Sequence, residues 1–228
     1  ILLSDMAKDL KNAGLKRVNV SLDSLRKDRF FQITRKDDFN KVIAGIYKSI
    51  EIGLNPVKVN VVVIRGVNDD EIIDFVNFVR DKEIEIRFIE FMPWGKREEW
   101  SKEKVVTTDE IMRSIEKEFG KLITVPNKSK GPALNYKIEG IKGAIGFINP
   151  ISSHFCNLCN RIRLTADGKI RLCLFSERET DVKKLIRQGL NENDLLKFLR
   201  EIILTKPKEI DILAHLSNRN REMSQIGG

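Results

Sequence analysis

Cysteine, tryptophan and tyrosine are scarce in this 228-residue sequence, which holds three, two and two of them respectively. All three cysteines fall within one 18-residue window, so at most one disulfide closes and one thiol is left over. That pattern fits metal binding better than a disulfide scaffold. Few Trp and Tyr, and no recognisable RNA-binding motif with stacking aromatics, argue against a nucleic-acid reader. No stretch approaches the roughly 20 apolar residues that cross a bilayer, and the N-terminus lacks the basic, apolar and small-residue order of a signal peptide. A cytoplasmic protein without a membrane partner is expected. Internal repeats and low-complexity tracts are also missing. The chain opens ILLSDM and runs directly into a helical pattern, so an upstream part of the polypeptide is expected.

What is present begins with a hydrophobic content of 41%, enough to build the core of one large domain or two small ones. Lys plus Arg outnumber Asp plus Glu by 41 to 33, a net charge of +8 that favours anionic partners without naming one. Both signs are interspersed, which by itself also describes a soluble or heat-adapted surface.

Residues 3 to 13 have helical spacing and stop at Gly14. In RVNVSLD, residues 17 to 23, Val18, Val20 and Leu22 alternate with polar residues as a strand requires. A polar loop is expected through Thr34 and Arg35, then a helix from about Phe39 to Ile52. The unit repeats with strand 57 to 64, helix 69 to 82 and strand 84 to 92. VKVNVVVI is nearly continuous in apolar residues, as in a parallel strand covered on both faces, with Lys58 and Asn60 as exceptions. Strands alternating with helices imply right-handed βαβ units and a parallel sheet, open or part of a barrel. Working residues in such folds sit at the C-terminal strand ends, here Ser21 with Asp23, Val63 with its loop, and Met92 with Pro93.

Pro, Gly and a charge cluster in residues 93 to 108 break the periodicity and place the expected domain boundary there, with domains 1 to 97 and 98 to 228. Beyond it a helix is expected from Asp109 to Phe119, capped by Thr107 or Thr108. Short strands follow at 121 to 125, 134 to 139 and 144 to 148. Helices are expected at 179 to 188 and at 192 to 204, the second capped by Asn191 or Asn193.

The cysteines stand in SSHFCNLCNRIRLTADGKIRLCLFSE with spacing C-x2-C-x13-C. The close pair, Cys156 and Cys159, clasps a metal from a tight turn, and Cys173 returns after a hairpin turning near Asp167-Gly168, so that three thiolates converge on one point. A structural zinc site needs four protein ligands, and His154 is an awkwardly spaced fourth that reads equally well as a capping group. Three cysteines suit a [4Fe–4S] cluster with one iron open to a small molecule. Spacing alone leaves iron–sulfur and zinc both open. Arg161 and Arg163 share one strand face with Thr165, and guanidinium groups beside a metal match phosphate oxygens bidentately. Arg171 is on the other arm of the hairpin. Lys58 and Arg87 are cations inside apolar strands and require an anion, supplied either by substrate or internally by Asp23 or Glu90.

Taken together, RVNVSLDSL, PVKVNVVVIRGVND, RFIEFMPWG, GPALNYKIEG, GFINPISSHFCNLCNRIRLTADGKIRLCLF and the terminal GG resemble the GTP 3′,8-cyclases, radical S-adenosylmethionine enzymes (lyases) of molybdenum cofactor biosynthesis. The resemblance implies an α/β chain, part of an incomplete TIM-type (β/α) barrel followed by a small α+β C-terminal iron–sulfur domain. In that family one [4Fe–4S] cluster cleaves S-adenosylmethionine to a 5′-deoxyadenosyl radical, which takes hydrogen from C3′ of GTP before C3′ bonds to C8. A second, auxiliary cluster holds the guanine. By matching position, Cys156, Cys159 and Cys173 would ligate the auxiliary cluster, while Lys58, Arg161 and Arg163 would bind GTP. Ser21 and Met92 would contact S-adenosylmethionine, and Arg87 is a further contact. Gly227-Gly228 resembles a tail that reaches toward the active site. A downstream pterin-forming enzyme and a homodimeric partner are implied as well. The sequence has no C-x3-C-x2-C motif, so the radical-generating cluster and the catalytic residues are expected in a region upstream. As it stands, the chain should be inactive alone. The readings that compete are a zinc-stabilised basic module for nucleic acid and a radical enzyme of another substrate.

Overall fold

A computed structural model describes residues 1–93, 100–126, 132–153, 156, 159–209, 221 and 225–226. By internal contacts the chain forms two compact units, Ile1–Phe91 with Lys102–Ser153, and Met92–Ser101 with His154–Gly228.

The first unit carries a six-stranded sheet. Its elements in chain order are α1 (Leu3–Asn12), β1 (Val18–Ser21), α2 (Lys27–Thr34), α3 (Phe39–Glu51), β2 (Val57–Val63), α4 (Ile72–Phe78), β3 (Ile84–Glu90), α5 (Thr108–Phe119), β4 (Ile123–Val125), β5 (Leu134–Lys137) and β6 (Ala144–Ile148). The spatial order is β1-β2-β3-β6-β5-β4. β1, β2, β3 and β6 run parallel, and β5 and β4 extend the edge antiparallel. The parallel sheet of βα units is that of a partial (β/α) barrel. Val57, Val59, Val61 and Val63 of β2 alternate onto one face and pack with Ile84, Ile86 and Phe88 of β3 and with Ile46, Phe75, Ile111 and Ile115 from the helices. Alternation then turns Lys58, Asn60, Glu85 and Arg87 to the opposite face.

Three differences from the sequence reading have physical causes. The stretch expected as loop contains α2, which lacks a side-chain N-cap and buries only Phe30. Tertiary contacts hold it instead: Arg29 reaches Asp70 at 2.5 Å and Glu71 at 2.6 Å. The expected helix 69 to 82 is split into a 3-10 turn at Asp69–Glu71 and α4. The expected boundary after residue 97 also differs from the observed division. Residues 102–153 belong with the sheet because β6 pairs in parallel with β3, Arg87 opposite Gly146 and Phe88 opposite Phe147. α5 does start where its capping box dictates, with Thr107 and Glu110 exchanging hydrogen bonds.

The second unit holds a three-stranded antiparallel sheet, β7 (Arg163–Leu164), β8 (Lys169–Arg171) and β9 (Thr180–Asp181), with α6 (Val182–Arg187) and α7 (Glu192–Leu204). The β7–β8 turn closes with Gly168 N–H donating to Thr165 O at 2.9 Å, and Gly168 has φ 86°, where a side chain would also meet Lys183. Asn191 caps α7 by accepting from Asp194 N–H at 3.0 Å. No described helix is long and apolar enough to cross a membrane.

Candidate functional site

On the polar face of the six-stranded sheet, register builds two rows. One runs Asn19, Lys58, Glu85, Ala144, and the next runs Ser21, Asn60, Arg87, Gly146, Asn135. Gly146 leaves room for its neighbours: a Cβ there would stand 3.1 Å from Arg87 Cγ and 3.0 Å from Asn135 Oδ1. Glu85 pairs with both cations, at 2.5 Å from Arg87 Nε and 3.5 Å from Lys58 Nζ. Neither Asp23 nor Glu90 plays that part. Asp23 Oδ1 accepts from Val62 N–H at 2.8 Å, and burial pushes its carboxyl up. Glu90 accepts from the N–H groups of Thr108, Ile151 and Ser152. The Arg87–Glu85 pair is visible in sequence as two residues of one strand face, but the Lys58–Glu85 pair exists only through strand register.

Two cations sharing one carboxylate leave this face with surplus positive charge. Burial holds the Lys58 ammonium below its usual range; Glu85 counters this, while Arg87 and Arg17 add to it. An arriving anion would relieve that strain. Ser21 is exposed at the end of β1. Beside it Asn60 Oδ1 is buried without a donor among the described residues, an acceptor the sequence reading counted only as a polar interruption.

In the second unit, Cys159 N–H donates to Cys156 O at 3.1 Å, closing the tight turn between the paired cysteines. Cys173 follows β8, and all three thiols are half-buried and free. Burial pushes the Cys173 thiol up, as does its proximity to Cys156 and Cys159, while N–H groups of Phe175 and Ser176 pull it down. At Cys159 burial also raises the thiol, but hydrogen bonds from Arg161 and from Lys206 outweigh it and hold the thiol below its ordinary value. Among the described residues no three His, Cys, Asp or Glu side chains are arranged to hold a single metal ion. His154 lies outside the described residues.

Arg163 and Arg171 face each other across β7 and β8. Arg171 is buried, with Nε 3.0 Å from Glu179, which also takes Arg221 at 2.5 Å, so the Arg171 guanidinium has an internal partner. Burial holds Arg163 below its usual range, Arg161 and Arg171 push the same way, and the thiolates of Cys173 and Cys159 oppose them. Arg163 Nη1 also donates to Ile226 O at 3.3 Å, and Ile226 is fully buried. Gly227 and Gly228 lie outside the described residues. Met92 is half-buried in a loop of this unit.

Residues 1–79 match the family model described as Radical SAM superfamily, and residues 84–212 match Molybdenum Cofactor Synthesis C. A GTP 3′,8-cyclase of Thermodesulfovibrio yellowstonii is 48% identical over all of this chain and 70% of its own length. The chain belongs to the GTP 3′,8-cyclase family. Similar proteins of that name from Alkaliphilus oremlandii and Clostridium botulinum are 46% and 44% identical, again over the whole chain and 70% of each relative. Membership makes the chain part of a radical S-adenosylmethionine enzyme of molybdenum cofactor biosynthesis, and implies [4Fe–4S] clusters and S-adenosylmethionine.

The donor set of the second unit fits such a cluster. Three soft thiols stand near enough for Cys173 to feel the charge of the other two, and N–H groups reach the sulfurs of Cys159 and Cys173.

Proposed function

We propose that this chain supplies the substrate-holding part of a GTP 3′,8-cyclase, which converts GTP to 3′,8-cyclo-7,8-dihydro-GTP. Cys156, Cys159 and Cys173 hold an auxiliary [4Fe–4S] cluster, Arg161 and Arg163 take the phosphates, Lys58 adds a further cation, and Ser21 and Met92 contact S-adenosylmethionine. The single observation that carries the reading is the half-buried Arg163, opposite Arg171 across the hairpin, which burial first and then Arg161 and Arg171 hold below its usual range. Such a group favours an arriving polyanion. When bound, the cluster supplies an iron with an open coordination position for the guanine. In the second unit Arg163 is braced by Ile226 O, and in the first Lys58 is set by Glu85. Asn60 Oδ1 offers an acceptor next to Ser21. The product goes on to a pterin-forming enzyme, and the working state is a homodimer.

Anaerobic reconstitution followed by iron, sulfide and zinc analysis tests the cluster, and stoichiometric zinc in a colourless protein would sink it. With the cluster in place, Arg161→Ala and Arg163→Ala should each weaken GTP binding roughly tenfold to a hundredfold. Unchanged affinity in both variants would remove these residues from the site.

A further inference from the structure

α7 ends in a way that fixes one lysine. Thr205 N–H donates to Ile202 O at 2.9 Å, and Lys206 N–H donates to Ile203 O at 3.1 Å. The Thr205 hydroxyl adds a bond of 2.7 Å to Ile202 O, and Pro207 then prevents another helical turn. Phe198 and Ile202 of α7 line a cavity of about 330 Å³ together with Ile170 of β8 and Leu172. Lys206 projects from this end to two atoms of the cysteine segment. Its Nζ donates to Arg161 O at 2.6 Å and to Cys159 Sγ at 3.4 Å. Neither contact is evident in sequence, where Lys206 stands 47 residues beyond Cys159 among other lysines.

We propose that Lys206 is a positioning residue for the cluster: it fixes the turn from Cys159 to Arg161 and draws electron density from the Cys159 sulfur, making the bound cluster easier to reduce. The inference rests on the cluster reading above. An ammonium donor on a ligating thiolate stabilises negative charge, and the reduced cluster carries one more negative charge than the oxidised one. A carbonyl bond alone would make Lys206 a clip for the turn. The bond to sulfur adds an electrostatic effect that a clip lacks. Since Arg161 N–H also bonds that sulfur, the ammonium closes a small ring of contacts around one ligand.

The test uses this 228-residue chain, reconstituted with iron and sulfide without oxygen. Wild type, Lys206→Met, Lys206→Gln and Lys206→Arg are compared by iron content and by dithionite titration followed by electron paramagnetic resonance. Lys206→Met is expected to shift the one-electron equilibrium roughly tenfold toward the oxidised form, about 59 mV, with Lys206→Gln between and Lys206→Arg near wild type. If Lys206→Met does not load, Lys206→Gln carries the measurement; loss from both with retention in Lys206→Arg also supports positioning by the cation. A loaded Gln or Met variant with the wild-type potential overturns the inference while leaving the cluster reading intact, and loss of iron from all three variants overturns it as well. Wild-type protein that takes up no iron–sulfur cluster refutes the cluster reading, and the inference falls with it.

Discussion

Valines 57, 59, 61 and 63, isoleucines 84 and 86, and Phe75, Phe88 and Phe147 pack in one cluster on the sheet of the first unit. The second unit has only Pro93, Ile170, Phe175, Val182 and Ile226 as buried apolar side chains among its described residues. In their place it uses charge: Arg221 reaches Glu179 at 2.5 Å and Asp167 at 2.8 Å, Arg171 joins Glu179, and Lys169 approaches both carboxylates. Ion pairs at partly exposed positions contribute little, commonly under ~1 kcal/mol each. The first unit can therefore hold its form by apolar burial, whereas the second needs another source of stability. On the proposed reading the three half-buried thiols provide it, since metal binding by folded ligands is folding free energy. The chemistry and the fold of the second unit then depend on the same bonds.

The sharpest way to break this contrast is Cys173→Ala. It should abolish iron incorporation and strip amide-exchange protection from β7, β8 and β9 while leaving β2 and β3 protected; equal loss in both units would contradict the contrast. Phe88→Ala attacks the opposite side. Phe88 is 1% exposed, with Phe75 at 6.3 Å and Phe147 at 6.1 Å, so its loss should cost about 3–5 kcal/mol in denaturant unfolding of the sheet unit and leave iron content unchanged. A smaller effect sharpens the boundary between polar and apolar support within the first unit. Thr107→Ala removes the cap of α5 and should cost about 1 kcal/mol.

The smallest effect is in pH. Backbone N–H of Thr107, then Arg65, then the Thr107 hydroxyl bring the Glu110 carboxyl down to about 2 from 4.5. Because its folded value is depressed, its contribution is complete above about pH 4.5 and disappears as pH falls toward 2. Glu110→Gln should therefore destabilise the protein at about pH 5, with the difference from wild type shrinking through that interval. A gap that stayed constant would mean that the carboxylate charge plays no part.

Local order was legible where a residue type has one local use. Alternation placed β1, a nearly continuous apolar run placed β2, a threonine cap placed the start of α5, and an asparagine cap did the same for α7. The cysteine spacing and its arginines gave the candidate metal segment. α2 was not legible because its helix depends on Arg29 meeting acids more than 40 residues away. Glu85 was missed as the partner of Lys58, and β6 as a parallel strand, for the same reason: strand pairing is decided between segments distant in sequence.

The amino-acid sequence by itself determined the period of each strand, the caps of the long helices, the three thiols and the family likeness, since these are written in neighbouring residues. Tertiary structure alone decided which ions meet. It brought Lys58 to Glu85, closed Glu179 on Arg171 and Arg221, and brought Lys206 from the end of α7 to Cys159. Each of those contacts depends on distance in space, which register and helix packing fix and sequence spacing does not.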